Sequence, residues 1–425
     1  MLKAAILFAF TVAFNAVASP APGPAAPGTV IPLTRRSSLT GADGVFDNDK
    51  ATSAIIDTIN KHLQNMANFQ KNIGGNVSIR VPVPLPADVE DRLLKRQSEA
   101  LTDESNDLER AGTISVGTPK QGTANQNFLI DFNTGSADLW IPSLSCTSSA
   151  CRNKSKYNPN SSSTSSKKTG TLLLEYADGS TISGPVYSDT VTVAGVTVKN
   201  QYFSAVTTLS SDFTTDPVDG IMGMGLLPIS GLRQDPFLMN AESQGAVSVG
   251  QFSFYLASTG SELYLGGTDT KKYTGAIEFN PINTATGYWD PMNAQAKVGS
   301  ATVLTGLQTI IDSGSTLMGC PSAAVKQIYA KVPGAKIFES GSVLLLPLCF
   351  TSQISFNWGG KDWTVSAANL NLGLTKAKST DCVASLVALD VEGLPNTCIL
   401  GDAFMRNFYS VFDLDRKAVG FASLV

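Results

Sequence analysis

Two short stretches of the sequence decide its fold: Phe128-Leu-Ile-Asp-Phe-Asn-Thr-Gly-Ser136 and Thr309-Ile-Ile-Asp-Ser-Gly-Ser315. Each starts as an apolar run typical of a buried strand and ends in a tight turn that opens with an acidic-type residue. In each half, two apolar residues and a glycine follow at nearly the same distance: the glycine comes 90 residues after Asn133 and 89 after Asp312. The repeat of motif and spacing predicts two similar lobes, with a cleft between them where a ligand would bind.

The composition is that of a folded protein built mainly from strands. The chain has 425 residues, of which 43% are hydrophobic and 16% charged, with 37 Gly and 21 Pro. These values exclude a disordered acidic chain, a coiled coil and a collagen-like fibre. The clearest strand-like runs are Thr113–Val116, Thr171–Tyr176, Thr190–Val193 and Glu262–Leu265. We expect an all-β body preceded by a polar helix near Ala51 to Lys71.

Charge and histidine content narrow the possible chemistry. The net charge is −4 at pH 7, so no basic surface is expected to attract nucleic acid. The sequence contains a single histidine, His62, which argues against a histidine-based triad or a zinc site. We therefore expect no metal and no cofactor, and we expect any acid–base chemistry to come from carboxylates, Tyr, Lys or Cys.

Residues 1–18 have the features of a secretory signal peptide. Lys3 supplies a positive start, an apolar run follows up to Val17, and Ala16-Val17-Ala18 is a small-x-small cleavage site. The alternative, a membrane anchor, needs about 20 apolar residues, more than this run offers. We expect the mature protein to be secreted and extracellular, with no membrane attachment after the signal is removed.

Residues 19–96 are predicted to form a removable pro-segment. They carry nine Lys or Arg against seven Asp or Glu, whereas residues 97–425 carry 21 against 28. A mildly basic leader on an acidic body would be held partly by charge, and that attraction weakens as carboxylates gain protons. The segment ends in the dibasic pair Lys95-Arg96, a common processing site. A plain linker is the alternative.

If the two turns meet at the interface of the lobes, they bring two acidic-type side chains into one site. Two carboxyl groups about 3 Å apart cannot both ionise, so such a pair holds one proton. One member then activates water as a base and the other donates a proton to the substrate carbonyl, which is metal-free amide hydrolysis at low pH. The glycine of each turn lets the opposing backbone approach closely.

The body resembles the pepsin-like aspartic proteases, in particular the secreted fungal acid proteases. The resemblance covers about residues 100–425, and its motifs match in order and spacing. Besides the two turns, these motifs are Gly112-Thr-Ile-Ser-Val-Gly-Thr-Pro, Tyr176-Ala-Asp-Gly-Ser, Asp219-Gly-Ile-Met-Gly-Met-Gly, Ile399-Leu-Gly-Asp-Ala-Phe and Tyr409-Ser-Val-Phe-Asp-Leu-Asp.

The resemblance implies a bilobal β fold, with an N-terminal lobe over 97–280 that carries a β-hairpin flap, a C-terminal lobe over 281–425 and a central cleft. A chain with two built-in lobes is expected to be a monomer. Its expected partners are peptide or protein substrates and its own pro-segment.

The six cysteines are predicted to form three disulfides, because an exported chain meets an oxidising compartment. Six cysteines allow 15 pairings, although Cys146 and Cys151 are close enough in sequence for a local loop. The family resemblance implies the pairs 146–151 and 349–382. It also puts Cys320 and Cys398 near the second turn, where we expect the third bond.

The resemblance also implies roles for individual residues. Asn133 and Asp312 stand at the two catalytic positions. The substrate-binding set comprises Gly135, Gly314 and Ser315 together with the flap residues Tyr176, Ala177 and Asp178. The supporting set comprises Thr134 and Ser313, which make cross-lobe hydrogen bonds, Ser136, which supports the first catalytic position, and Trp140, which hydrogen-bonds the flap tyrosine.

One position departs from the family pattern. The family has Asp-Thr-Gly at the first turn, whereas this chain has Asn133-Thr-Gly; the second turn, Asp312-Ser-Gly, is intact. An amide has nearly the shape of a carboxyl group but cannot ionise, so the pKa of Asp312 is expected to return to that of an ordinary carboxyl. Losing positioned acid–base catalysis costs roughly 10²–10⁴-fold in rate. Asp131 is a poor substitute, because two residues along a strand span roughly 6.6–6.8 Å.

Three hypotheses for the function remain open. The first is a secreted pepsin-like protein that binds extended peptides but hydrolyses them poorly. The second is a fully active acid endopeptidase in which Asn133 is tolerated or is deamidated to Asp. The third is a non-catalytic interaction protein. The retained Asp312, the flap residue Tyr176 and the pro-segment favour the first two, because a purely structural role needs none of them.

Overall fold

The computed structural model describes residues 28–35, 39–41, 43–74, 83–89, 92, 110–175, 181–214, 216–336, 338–340, 343–345 and 353–425. Strands dominate the regular structure of these residues and confirm the all-β fold. Four predicted features lie outside them: the signal peptide, the Lys95-Arg96 pair, Cys349, and the flap residues Tyr176, Ala177 and Asp178.

The strands up to residue 281 include the four predicted runs, the second of which is described as far as Glu175. In chain order they are β1 (Thr29–Pro32), β2 (Thr34–Arg35), β3 (Arg110–Val116), β4 (Gln126–Asn133), β5 (Leu139–Pro142), β6 (Ser166–Glu175), β7 (Thr181–Val193), β8 (Val196–Val206), β9 (Gly220–Gly223), β10 (Gln251–Tyr255), β11 (Glu262–Leu265) and β12 (Tyr273–Pro281).

The strands after residue 281 are shorter on average. In chain order they are β13 (Ala294–Val298), β14 (Ala301–Ile311), β15 (Met318–Cys320), β16 (Phe338–Ser340), β17 (Val343–Leu345), β18 (Ile354–Asn357), β19 (Trp363–Val365), β20 (Asn371–Leu374), β21 (Cys382–Ala384), β22 (Leu386–Ala388), β23 (Thr397–Leu400), β24 (Phe408–Asp413) and β25 (Ala418–Leu424).

The predicted polar helix is present as α1 (Asn48–Asn72), the longest helix of the described residues. The Asp47 carboxylate caps its start by accepting a hydrogen bond from the Lys50 backbone N–H at 3.2 Å. Shorter helices are α2 (Phe237–Ser243), α3 (Ser322–Tyr329), α4 (Ala367–Leu370) and α5 (Asp402–Met405), and 3₁₀ turns occur at Ser149–Cys151, Pro159–Ser161, Ser211–Thr214, Leu227–Ile229 and Thr284–Thr286. None of the helices in the described ranges combines the length and the apolar character needed to cross a membrane.

An eight-stranded sheet forms the first lobe, in the order β2-β3-β4-β9-β5-β8-β7-β6, and an additional pairing of β3 with β7 turns it back on itself. At its centre β4 runs parallel to β9, with Asn133 opposite Gly223. Phe128, Ile130 and Phe132 of β4 are buried in the core. Their burial anchors the strand, so the turn that starts at Asn133 leaves the sheet at a defined point.

A seven-stranded sheet forms the second lobe, in the order β19-β18-β13-β14-β23-β15-β22. Here β14 runs parallel to β23, with Ile311 opposite Leu400, and β23 is antiparallel to β15. In the first lobe β4, β9 and β5 have the same relationship. The sequence repeat is therefore a repeat of structure, and each lobe delivers one turn from the end of a central strand.

A six-stranded sheet, in the order β1-β11-β10-β24-β25-β12, contains strands from both predicted lobes. Its edge strand β1 belongs to the predicted pro-segment and pairs antiparallel with β11. The leader is thus hydrogen-bonded into the body as well as packed on it. The boundaries at 96 and 280 remain predictions.

Two of the predicted disulfides are confirmed. Cys146 bonds to Cys151, and Cys320 bonds to Cys398. Cys382 is also disulfide-bonded; its predicted partner, Cys349, lies outside the described residues. The Cys320–Cys398 bond joins β15 to β23, directly behind the second turn.

Candidate active site

The two turns lie against each other and bury their leading side chains. Asp312 has no exposed surface and Asn133 is 3% exposed. A Cβ atom placed on Gly135 would lie 2.3 Å from Asp312 Cγ, and one placed on Gly314 would lie 1.8 Å from Asn133 Nδ2. Each leading side chain therefore lies over the glycine of the opposite turn, and any larger residue at either glycine would collide with it.

Hydrogen bonds across the interface hold the turns together with near two-fold symmetry. Thr134 Oγ1 donates to the Ile311 carbonyl at 2.8 Å and accepts from the Ser313 backbone N–H at 2.9 Å. Ser313 Oγ donates to the Phe132 carbonyl at 2.6 Å and accepts from the Thr134 backbone N–H at 3.0 Å. All four bonds are buried, so each is protected from competition with water.

The two leading side chains have different partners within their own turns. Asp312 accepts from the Gly314 backbone N–H at 3.0 Å and from Ser315 Oγ at 2.6 Å. Asn133 accepts from the Gly135 backbone N–H at 2.9 Å through its oxygen. Its amide nitrogen lies 3.5 Å from Oδ2 of the buried Asp131, which fixes the direction of the amide.

Helix α1 lies over the second turn and places two basic side chains on Asp312. Lys61 Nζ is 2.5 Å from Asp312 Oδ2 and also donates to the Gly314 carbonyl at 3.0 Å. His62, which is completely buried, has Nε2 3.3 Å from the same Oδ2 and Nδ1 3.2 Å from the Tyr288 hydroxyl. Asp312 is therefore covered by α1.

This arrangement overturns the expectation that Asp312 has an ordinary pKa. Burial alone would raise the pKa of Asp312, but the charge of Lys61 and the hydrogen bond from His62 outweigh it and hold that pKa well below its usual range. Burial lowers the pKa of His62, against the pull of Asp312. A neutral His62 fits both contacts, with Nε2–H donating to Asp312 and Nδ1 accepting from Tyr288 O–H.

The second half of α1 packs on the first lobe through three asparagines, Asn65, Asn68 and Asn72. They are three and four residues apart, so they lie on the same face of the helix. Asn65 Nδ2 donates to the Gly135 carbonyl at 2.7 Å, and Asn68 Nδ2 to the Ile229 carbonyl at 3.2 Å. Asn72 Nδ2 donates to the carbonyls of Pro228 and Ser230, each at 2.9 Å. The helix thus reaches from the second turn to the first lobe. Its contacts with the first lobe through these asparagines are hydrogen bonds between neutral groups, which do not titrate.

The remaining predicted site residues are only partly described. Trp140 is buried on β5, with its ring 5.2 Å edge-on from Phe213. The hairpin of β6 and β7 is paired as far as Glu175 and Thr181, as a flap requires. Its tip, with Tyr176, Ala177 and Asp178, lies outside the described residues, so the Trp140 contact to the tyrosine stays a prediction.

Sequence reasoning missed Lys61, His62, Asn65 and Tyr288. The basic character of the leader was the one available signal, and it did not indicate which lysine would meet which carboxylate. Within the described part of the chain, no three or more His, Cys, Asp or Glu side chains are grouped so as to hold a metal ion.

Paired Asp/Asn-Thr/Ser-Gly turns, held together between two β lobes, define the class of aspartic protease folds. The eukaryotic aspartyl protease family profile matches residues 109–424, and the chain belongs to this pepsin-like family. It is similar to "Aspartic protease" of Phaffia rhodozyma, with 36% identity over 335 residues that cover 77% of this chain and 79% of the relative.

Two animal proteins show comparable similarity. "Cathepsin D" of Chionodraco hamatus is 35% identical over 334 residues, which cover 74% of this chain and 81% of that protein. "Pepsin A" of Suncus murinus is 33% identical over 333 residues, with the same two coverages of 74% and 81%.

Proposed function

We propose that this protein is a secreted, pepsin-like endopeptidase homologue whose cleft binds extended peptides and hydrolyses them poorly. The observation that supports it is the pairing of an intact Asp312 turn with an Asn133 turn across a preserved set of cross-turn hydrogen bonds. The similarity to proteins named aspartic protease, cathepsin D and pepsin A supports peptide bonds as the target.

The reduced rate follows from what an amide can do at this position. Asp312 keeps the carboxylate needed to activate a water molecule as a base. Asn133 can donate a hydrogen bond from Nδ2 to a substrate carbonyl, but it has no acidic proton to pass on to a leaving nitrogen. Peptide binding and positioning are therefore kept, while general-acid catalysis is lost. This loss lowers the rate of hydrolysis roughly 10²–10⁴-fold.

The proposal includes α1 as part of a pro-segment that keeps the protein latent. Lys61 neutralises Asp312 in the cleft, and the asparagine row of α1 covers the adjacent surface of the first lobe. An extended peptide cannot occupy the same space. Cleavage after residue 96 and departure of the leader would expose the cleft.

The hydrolysis is tested with the wild type and Asn133→Asp, both processed at acid pH and assayed on an unstructured protein. We expect kcat/KM of the variant to be roughly 10²–10⁴-fold higher. Mass spectrometry must confirm that the wild-type amide is intact. Equal and substantial cleavage rates in the two proteins would refute impairment by Asn133. No cleavage by either protein, together with no peptide binding, would favour an interaction protein.

Latency is tested with Lys61→Gln in the unprocessed chain. Removing one partner of a buried ion pair costs about 3–5 kcal/mol, so we expect a pepstatin-type peptide to bind the variant more tightly than the wild type at pH 7. Lys71→Gln is the matched control, because it removes the same charge from an exposed position of the same helix. If both variants bind the peptide like the wild type, α1 does not block the cleft.

A further inference from the structure

Asn133 and Asp312 contact the same two glycines, which brings the amide of one turn against the carboxylate of the other. Asn133 Oδ1 accepts from the Gly135 backbone N–H at 2.9 Å, and the carboxylate of Asp312 lies over that same glycine. Asp312 accepts from the Gly314 backbone N–H at 3.0 Å, and the amide of Asn133 lies over Gly314. Nδ2 comes nearer than Cγ or Oδ1 to the point that a Gly314 Cβ would occupy. Asn133 therefore presents its amide nitrogen to the turn that carries Asp312.

The side-chain amide of Asn133 has the same reactive groups as a peptide bond, a carbonyl carbon bonded to nitrogen. When water adds to such a carbon, negative charge develops on the oxygen, and a fixed N–H donor stabilises it. The Gly135 N–H already makes this contact with Asn133 Oδ1. Asp312 supplies a carboxylate that can act as a base on water. The paired turns thus hold an amide of their own chain in the surroundings that amide hydrolysis requires.

We propose that Asp312 hydrolyses the side-chain amide of Asn133 once α1 has left the cleft, which converts position 133 to aspartate. The inference rests on the proposed function in two respects: Asp312 acts as a base on water, and α1 covers the cleft of the unprocessed chain. Two of the hypotheses for the function then describe one protein at two times. The newly processed chain hydrolyses peptides poorly, and the converted chain carries two carboxyl groups at the paired turns.

The step consumes one water molecule, and a single carboxylate moves the protons. Asp312 takes a proton from water while the water oxygen bonds to Cγ of Asn133. Asp312 then returns this proton to Nδ2, the Cγ–Nδ2 bond breaks with its electron pair on nitrogen, and ammonia leaves. The new carboxyl group gives its proton to the ammonia. Amide and water have then become carboxylate and ammonium, Asp312 is again a carboxylate, and the loss of ammonium to solvent makes the conversion irreversible.

The ordinary route of asparagine deamidation is hindered in the folded chain. In that route the backbone nitrogen of the next residue attacks Cγ, and the cyclic imide that forms opens to a mixture of aspartate and isoaspartate. Here the next residue, Thr134, has no exposed surface, and its N–H donates to Ser313 Oγ at 3.0 Å. Ring closure would break this bond and turn the backbone at the interface between the two turns. Direct attack by water leaves the backbone in place and yields aspartate alone.

Helix α1 covers both turns in the unprocessed chain. Lys61 Nζ binds Asp312 Oδ2, and Asn65 Nδ2 donates to the Gly135 carbonyl at 2.7 Å. In this state Asn133 is 3% exposed and Asp312 has no exposed surface, so water cannot reach the amide from the base. We therefore expect the conversion to begin only after α1 has departed.

The experiment follows position 133 by mass spectrometry. The chain is cleaved after Arg96 by a protease specific for dibasic sites, the leader is removed in acid, and native mass spectrometry confirms its absence. The processed protein is incubated at pH 5 in water enriched in ¹⁸O, then reduced and digested with trypsin in ordinary water. The heavy oxygen marks each carboxyl group that forms during the incubation.

The tryptic peptide of residues 121–152 contains its own controls. Besides Asn133 it includes Asn125 and Asn127, which are both exposed and report on ordinary deamidation. We expect ¹⁸O to enter position 133 faster than positions 125 and 127, although Asn133 lies in the interior. We expect the product at 133 to be aspartate without isoaspartate. An amide that stays intact, or an isoaspartate product at 133, would overturn the proposal.

Asp312→Asn isolates the base, because it keeps the shape of the side chain and removes the carboxylate. We expect the rate of conversion at position 133 to fall roughly 10²–10⁴-fold in this variant. A saturating pepstatin-type peptide on the processed wild type is a second control that needs no substitution, since it displaces water from the cleft and should stop the conversion. The unprocessed wild type should keep its amide. An undiminished rate in any of these three samples would overturn the proposal.

The same incubation separates this inference from the proposed function. Each time point is also assayed on the unstructured protein, and we expect kcat/KM to rise in proportion to the fraction of aspartate at position 133. Conversion without a gain in kcat/KM would contradict the impairment by Asn133 and leave the self-hydrolysis standing. An intact amide with a low and constant kcat/KM would overturn the self-hydrolysis and leave the proposed function standing.

Discussion

Ser136 and Ser315 occupy the same position of the two turns, but only Ser315 uses its hydroxyl on the leading side chain. Ser315 Oγ donates to Asp312 Oδ2 at 2.6 Å. Ser136 Oγ is buried and has no hydrogen-bond partner among the described residues. The Asn133 oxygen is already turned to the Gly135 N–H, and its nitrogen is itself a donor. The first turn therefore has a buried hydroxyl donor that would suit a carboxylate, whereas position 133 carries an amide.

This asymmetry predicts that Ser136→Ala has an effect only when position 133 carries an acid. In the wild type we expect the free energy of unfolding to change by less than about 0.5 kcal/mol. In the Asn133→Asp background the same substitution removes a hydrogen bond to a charged group and should cost about 1.5–3 kcal/mol. Urea unfolding at pH 7 of the four proteins in this double-mutant cycle measures the difference. Equal costs in both backgrounds would contradict it.

Thr134→Val is expected to destabilise the interface between the two turns. Valine has a similar shape but removes two buried hydrogen bonds, which leaves the Ile311 carbonyl and the Ser313 N–H without their partner. Each unsatisfied buried group costs about 1–3 kcal/mol, so we expect a loss of about 2–6 kcal/mol in urea unfolding. Thr134→Ser keeps the hydroxyl and serves as the control. A Val variant as stable as the Ser variant would show that these bonds contribute little.

Asp290 gives the protein a pH-dependent stability of its own. Burial raises the pKa of this carboxyl to about 7, in spite of hydrogen bonds from Thr286 and the Asn283 backbone. In the unfolded chain Asp290 ionises near its ordinary pKa. The free energy of unfolding therefore falls by about 4 kcal/mol as pH rises from about 4 to 7. We expect Asp290→Asn to flatten this slope. Urea unfolding at pH 5 and pH 8 measures it; parallel slopes in both proteins would exclude Asp290 as the source.

The two described disulfides should differ in their contribution to stability. Cys320 and Cys398 are separated by 78 residues, but Cys146 and Cys151 by only 5. Loop-closure entropy predicts about 4.5 kcal/mol for the long loop and about 2 kcal/mol for the short one. Replacing each pair with alanines and comparing urea unfolding tests the order. A larger loss from the short loop would mean that local packing outweighs chain entropy.

Much of the fold could be predicted because its signals are local. The strand that ends at Asn133 and the strand that ends before Asp312 carry their own apolar pattern and their own turn chemistry, and the repeated spacing to the next glycine indicates two equivalent lobes. The parallel partners of both strands bear this out. The helix of the leader was also predicted from its own stretch of sequence, near Ala51 to Lys71, and the structure begins it after the capping Asp47.

The contacts of Asp312 could not be predicted in the same way. Lys61 and His62 are separated from it by 251 and 250 residues, and no periodicity links them. The expected ordinary pKa of Asp312 was wrong for this reason. The lone histidine had no partner within its own stretch of chain, so it offered no sign of a role.

Chain chemistry alone thus specifies the strands, the two turns and the amide side chain of Asn133 at the start of the first turn, because each depends on residues that are neighbours in sequence. The docking of α1, and with it the ion pair of Lys61 and the buried imidazole of His62 on Asp312, exists only in the folded molecule. The reason is physical: the charge state of a buried group depends on the burial and the charges around it in space, and these come from distant parts of the chain.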